Sequence, residues 1–303
     1  MVFFIWLTHA ISASSFTATK LSLDYVSPYV LVMIRHLMNG FMLFIPHYLW
    51  GTSLSSMNRS FWRSVLLLSL IVAYIPFVFD YWSMNYISSI KGCLLFSFSP
   101  FITVILEYFI LKKSITLRQF LGLCIGFLGF IPVLMDQSSS EEIMGSFLSI
   151  SVPEMGMLCS VVSCAYGWIM MKNIIIQYAY SYTTLNCFSM FFGGLIASLV
   201  NLILYYIGYI GGTSIEWIPT IMYPLFLSLT STVSVFLYGQ AVNNYSATFV
   251  SLTALSTPLF AALFGYIFIG ESLTKGFFVS MLLLSLGLYI FYLDEEKSDI
   301  MAS

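Results

Sequence analysis

Three charged side chains stand inside long apolar runs: Arg35, Asp80 and Glu107. An arginine deep in a membrane helix costs about 2.5–3.5 kcal/mol on insertion scales, so it must face protein or water rather than lipid. Arg35 lies about 10 Å into its run at 1.5 Å per residue. It serves either a structural ion pair or gate, or a direct contact to a solute carboxylate or phosphate. Asp80 lies near the far end of the next run, at a similar depth. It either pairs with Arg35, lowering the insertion cost of both, or binds a cationic solute or a proton, or sits solvated at the interface. Glu107 shares a helical face with Pro100 and Thr103 at i, i+3, i+7. It reads as an interfacial carboxylate near Lys112 or as a coupling or substrate carboxylate.

Other residues add softer chemistry. Trp6, Tyr81, Trp82, Tyr166, Trp168 and Tyr238 offer rings that stack on a planar group or a soft cation, with lipid or packing contact as the alternative for each. His9 is an isolated titratable group, read first as a lone polar residue. Pro76, Pro100 and Pro258 fall in mid-run. Each removes a backbone donor and frees a carbonyl one turn earlier, which a membrane tolerates where protein or water satisfies it. They mark helix breaks beside a cavity, or packing kinks. Cys93, Cys124, Cys159, Cys164 and Cys187 form no C-x-x-C pair and have no His at ligand spacing, so neither a metal site nor a disulfide is expected. Nothing reads as a catalytic set, and no cofactor is implied. No phosphate-cradling G-x-x-x-x-G-K-[ST] occurs, so ATP use is not expected.

These residues need elements to hold them, and composition says which kind. Charged residues are 8% of the 303, against about 25% in a soluble domain. Hydrophobic residues are 59% and mean hydropathy is +0.94. So few charges cannot coat a soluble globule of this size; the chain reads as an all-α integral membrane protein. A net charge of −2, with no basic cluster beyond Lys112-Lys113, argues against nucleic acid and against a polybasic lipid anchor. The partners expected are the bilayer and a small-molecule substrate.

Apolar runs separated by polar breaks predict ten transmembrane helices: Phe3–Thr19, Pro28–Trp50, Ser64–Met84, Lys91–Leu111, Phe120–Met135, Met155–Ile176, Thr184–Ile207, Ile218–Val242, Thr248–Ile269 and Phe277–Leu293. The start lacks a basic n-region, so it reads as the first span rather than a signal peptide. Gly122-x-x-x-Gly126 and Gly194-x-x-x-Ser198 allow close helix approach, within the chain or, as the second reading, in a homodimer.

The chain also repeats. Laying Ser88–Thr116 on Ser246–Thr274 without a gap matches Ser88 with Ser246, Leu94 with Leu252, Pro100 with Pro258, Tyr108 with Tyr266, Ser114 with Ser272 and Thr116 with Thr274. Residues 1–135 form a first five-helix repeat and 154–293 a second. An acidic, Ser-rich external linker (136–153) joins them, and a short charged cytoplasmic tail (294–303) follows. An odd number of spans per repeat inverts the second copy, the arrangement of alternating-access transporters with a midplane site. Lys and Arg outside the spans favour the N-terminal side: Arg59, Arg63, Lys112, Lys113, Arg118, Lys172 and Lys297, against Lys20, Lys91 and Lys275. Both termini are therefore expected in the cytoplasm.

The motifs resemble those of the drug/metabolite transporter superfamily, and within it the EamA-type ten-helix transporters. Arg35 stands early in the second span. Ser83-Met84-Asn85-Tyr86-Ile87-Ser88-Ser89 is similar to the family's Ala-Leu-x-Tyr-x-Ser-Ala, and Gly270-Glu271-Ser272-Leu273-Thr274 to its Gly-Glu-x-Leu-Thr. Ser99-Pro100-Phe101 and Ala165-Tyr166-Gly167-Trp168 add to the likeness. There are departures: Lys112-Lys113 replaces Gly-Glu after span 4, and Asp80 and Glu107 stand where the family is usually apolar. The resemblance implies a cavity lined by helices 1, 3, 4, 6, 8 and 9, and a location in a bacterial inner membrane.

The leading expectation is a secondary transporter of a small organic metabolite, working by exchange or proton coupling. An Arg on one side with carboxylates and aromatics elsewhere suits a zwitterion with a ring, such as S-adenosylmethionine or an amino acid. A non-transporting membrane subunit or receptor is the alternative. A membrane-embedded enzyme would need a nucleophile–base set that the scattered His residues do not supply.

Overall fold

The computed structural model describes residues 2–50, 57–112, 115–135, 141, 144–147, 150–178, 180–209, 216–244, 253–254 and 256–302. Most of the linker and the side chains of Tyr238 and of residues 294–302 lie outside the described residues.

Among the described residues there are ten helices: α1 (Val2–Ser22), α2 (Pro28–Trp50), α3 (Arg59–Met84), α4 (Ser89–Leu111), α5 (Leu117–Leu134), α6 (Val152–Tyr178), α7 (Tyr182–Tyr206), α8 (Trp217–Asn244), α9 (Ser256–Ile269) and α10 (Lys275–Ala302). Eight of them, α2 to α8 and α10, are long and apolar enough to cross a membrane. α1 carries a run of hydroxyls and α9 is shorter. A two-stranded antiparallel hairpin, Ser146–Phe147 with Ile150–Ser151, leads into α6.

The polar breaks between apolar runs act as helix starts. A helix leaves its first N–H groups without partners, and a side-chain oxygen at the N-cap supplies one. Asn58 accepts from Phe61 N at 2.8 Å, Ser88 from Lys91 N at 3.1 Å, and Ser181 from Thr184 N at 3.1 Å. Thr116 and Gln119 form a reciprocal capping box at α5. Ser151 and Glu154 do the same at α6: Ser151 N donates to Glu154 Oε2 at 2.6 Å, and Glu154 N to Ser151 Oγ at 3.3 Å.

Among the described residues, four helices depart from a regular α-helix: α5 pauses at Gly129 and α9 finishes in a π-helical turn, Gly265–Ile269, while α4 and α3 change within the span. α4 breaks at Ser97–Phe98, and Pro100 stands in the first turn of its second piece, where its missing N–H costs nothing. α3 contains a π-helical turn, Ser69–Tyr74, directly before Pro76. Pro258 lies in the first turn of α9 as described. α4 ends on Lys112 in the left-handed region (φ 52°), where α9 ends on Gly270 (φ 76°). A Lys pays about 1 kcal/mol for a conformation that glycine adopts freely.

α2 packs along α7 and α5 along α10; α1 packs on α8 and α9, and α6 on α3 and α4. The small-residue stripes are used inside the chain. A Cβ at Gly194 would fall 2.8 Å from Leu37, and one at Gly40 2.8 Å from the Phe191 backbone. At Gly287 it would fall 2.6 Å from Gly126 N and 2.7 Å from Gly122 O. Gly287→Val should therefore destabilise by about 1–3 kcal/mol, the cost of overpacking. It should read as a lower Tm in detergent, with Leu286→Val, exposed on the same helix, close to wild type. Equal melting of the two variants would refute the close approach.

Candidate functional site: a polar cavity between six helices

Along α1, Ser12, Ser15, Phe16 and Thr19 recur at helical spacing, so one face of an apolar helix is polar. That face lines a cavity of about 180 Å³. Arg35 of α2, Pro76, Phe77 and Asp80 of α3, Phe96 of α4, Ser160 and Cys164 of α6, and Ser231 and Ser234 of α8 complete its wall. Hydroxyl contacts hold α1 to α8 beside it: Ser12 with Ser234 at 3.3 Å and Ser15 with Thr230 at 3.2 Å.

Arg35 is buried. One guanidinium nitrogen donates to Tyr81 Oη and another to Ser231 Oγ at 2.7 Å. Its Cζ lies 4.8 Å from the Phe77 ring centroid, a contact worth about 0.5–2 kcal/mol. Ser228 Oγ donates to its backbone carbonyl at 3.0 Å. Five N–H donors in a planar fork leave some free for a solute. Asp80 faces the same cavity without an ion pair to Arg35 within 4.0 Å among the described residues. Its Oδ1 is buried and has no hydrogen-bond partner among the described residues.

A second charged group closes the end of the bundle where α3 finishes and α4 and α6 begin. Lys91, buried, pairs with Glu141 at 2.7 Å and Glu154 at 2.6 Å. This joins α4, α6 and Glu141 of the segment between α5 and α6. Lys20 donates to the carbonyls of Met84 at 2.5 Å and Ile87 at 2.9 Å, a cation at the C-terminal end of α3. Glu271 accepts from Ser89 N at 2.7 Å, Ser89 Oγ at 2.8 Å and Ile90 N at 3.0 Å, an anion at the N-terminus of α4.

The structure thus gathers Arg35, Asp80, Tyr81 and Pro76 at one place, with Tyr81, fully buried, as an anchor for the arginine. It disperses the others. Trp6 is half exposed and edge-on to Phe260. His9 is held between Thr253 at 3.2 Å and Thr257 at 3.3 Å. Trp82 packs on Tyr86 and beside Gly156. Tyr166 is on an outer groove with Cys159 and Val162. Trp168 is partly exposed and touches the cavity wall edge-on through Phe96. Glu107 is half-buried near the end of α4, away from the cavity. The serines, Phe77, Phe96 and Cys164 were not singled out from sequence. The hydroxyls alone carried a signal: Ser12, Ser15 and Thr19 stand at i, i+3, i+7 on an apolar helix, and Ser231 and Ser234 at i, i+3 on another.

The sequence profile of the EamA-like transporter family matches residues 1–135 and 153–293. The chain belongs to the EamA-like transporter family. With its eight apolar helices, membership makes it a multi-pass membrane protein whose function is small-metabolite transport. It is 25% identical over 312 residues to an S-adenosylmethionine/S-adenosylhomocysteine transporter of Chlamydia muridarum, covering 100% of this chain and 94% of that protein. A protein of the same name from Chlamydia trachomatis serovar L2 is 25% identical, covering 98% and 90%. A solved crystal structure shares the fold at 12% identity, with a TM-score of 0.67 over 97% of this chain and 96% of the other. In this EamA-like chain the Glu of Gly270-Glu271 is the carboxylate that caps α4.

Proposed function

We propose that this chain carries S-adenosylmethionine and S-adenosylhomocysteine across a bacterial inner membrane, by exchange, through the cavity that holds Arg35 and Asp80. The names of the Chlamydia relatives support the cargo. The observation that carries the reading is the pairing, in one cavity, of a fixed cation with spare donors and a carboxylate with an unpartnered oxygen. Arg35 takes the α-carboxylate of the solute, Asp80 a positive charge, Phe77 and Phe96 the adenine face, and the serine hydroxyls the ribose.

The wider reading is alternating access by ten spans in two inverted repeats, 1–135 and 154–293, with both termini cytoplasmic. The helix packing supports it. Exchanging each helix for the one five places on turns the α1–α8 contact into α6–α3, and α1–α9 into α6–α4. The α2–α7 and α5–α10 contacts map onto themselves. That is the pattern expected of an in-plane pseudo-two-fold axis.

Proteoliposomes preloaded with S-adenosylhomocysteine should take up labelled S-adenosylmethionine at least about tenfold faster than empty ones. An excess of an amino acid panel should not compete. Uptake equal in loaded and empty vesicles would remove exchange, and competition by an amino acid would replace the cargo.

A further inference from the structure

The solutes of the proposed exchange differ by one methyl group and one positive charge. The sulfonium form carries a permanent cation at sulfur; the thioether form does not. We infer that Asp80 is the residue that tells the two apart, by holding the sulfonium. This rests on the proposed cargo and deepens it.

The cavity offers one place for such a charge. Among the described residues its lining holds a single cationic residue, Arg35, and a single carboxylate, Asp80; the other polar liners are hydroxyls and the Cys164 thiol. Arg35 is turned toward Tyr81, Ser231 and the Phe77 ring, and it answers the solute's α-carboxylate. Asp80 Oδ1 is buried and receives no hydrogen bond from the described residues. A buried carboxylate oxygen without a donor is costly unless a charge comes to it. An ammonium brings N–H groups that each need an acceptor. A sulfonium brings charge and no donor, so it meets the Asp80 carboxylate by Coulomb attraction alone. The thioether form carries the same α-amino acid, ribose and adenine, so every other contact is common to both. The discrimination therefore concentrates at Asp80.

The test is equilibrium binding of both solutes to the purified full-length protein in detergent, wild type first. Wild type should bind the sulfonium form at least about tenfold tighter than the thioether form, which corresponds to about 1.4 kcal/mol. In Asp80→Asn the ratio of the two affinities should fall by about tenfold or more. Asp80→Glu, which keeps the charge, should keep the preference. Equal wild-type affinities would overturn the inference even if Asp80→Asn fails to fold. So would an Asp80→Asn variant that weakens both solutes in proportion, because Asp80 would then hold the α-ammonium common to both. If wild type binds neither solute, the cargo itself is wrong. That failure is seen before any variant is made and is distinct from a failure of discrimination.

Discussion

Lys91→Met should cost about 3–5 kcal/mol of stability, because it removes the cation that two buried carboxylates share. The expected readout is a collapse of the monodisperse peak in detergent and a large drop in Tm. Removing all three charges should undo most of it. The triple variant Lys91→Met/Glu141→Gln/Glu154→Gln should recover yield and Tm, since an uncharged cluster pays no penalty for unpaired charge. Lys91→Arg should stay close to wild type in fold. A single Lys91→Met variant that melts with wild type would mean that the three groups are solvated and uncoupled.

The second large effect is at Arg35. Arg35→Lys keeps a positive charge but loses the planar fork that reaches Tyr81 and Ser231 together and lies against Phe77. Exchange should fall by about 10–100-fold, the loss of roughly 1.5–3 kcal/mol expected for a charge-assisted hydrogen bond. The protein should still purify as a single species. Arg35→Ala should lose exchange to background. Tyr81→Phe should fall between wild type and Arg35→Lys, because it leaves the guanidinium but frees one arm. If Arg35→Lys exchanges solute at the wild-type rate, the arginine acts as a point charge and its geometry is irrelevant.

The helices were legible in the sequence because their cause is local. An apolar run of the right length reads as a membrane helix, but the runs alone placed four starts two to five residues late, because the caps Asn58, Ser88, Thr116 and Ser181 begin those helices in the polar breaks. The charges inside runs were legible for the same reason: Arg35 and Asp80 violate the rule of their surroundings. What could not be read were relations across the fold. Lys91 and Glu141 looked like solvated ends of a span and a linker, and only the packing of α4 against α6 turns them into a buried cluster with Glu154. Glu271 was recognised by its motif, but its partner lies far along the chain at Ser89. The aromatics left both readings open for a related reason. In a chain where they are 18% of residues, type alone does not distinguish a ring in the cavity wall from one facing lipid. Small hydroxyls at helical spacing carried more information than the rings did.

The π-helical turn of α3, Ser69–Tyr74, has an evolutionary reading. Such a turn behaves as one residue added to an α-helix, and each residue rotates the chain by about 100° about the helix axis. The stretch from Pro76 to Asp80 is therefore aimed by that added residue, while Arg59–Leu68 keeps its own register against α7. A lineage that lost one residue there would keep the span, its length and its hydropathy, yet turn Asp80 away from Arg35. Among relatives, then, an aspartate at the same place in an alignment need not mean a carboxylate in the same cavity. Single-residue gaps in this turn should mark where the repertoire of carried solutes branches.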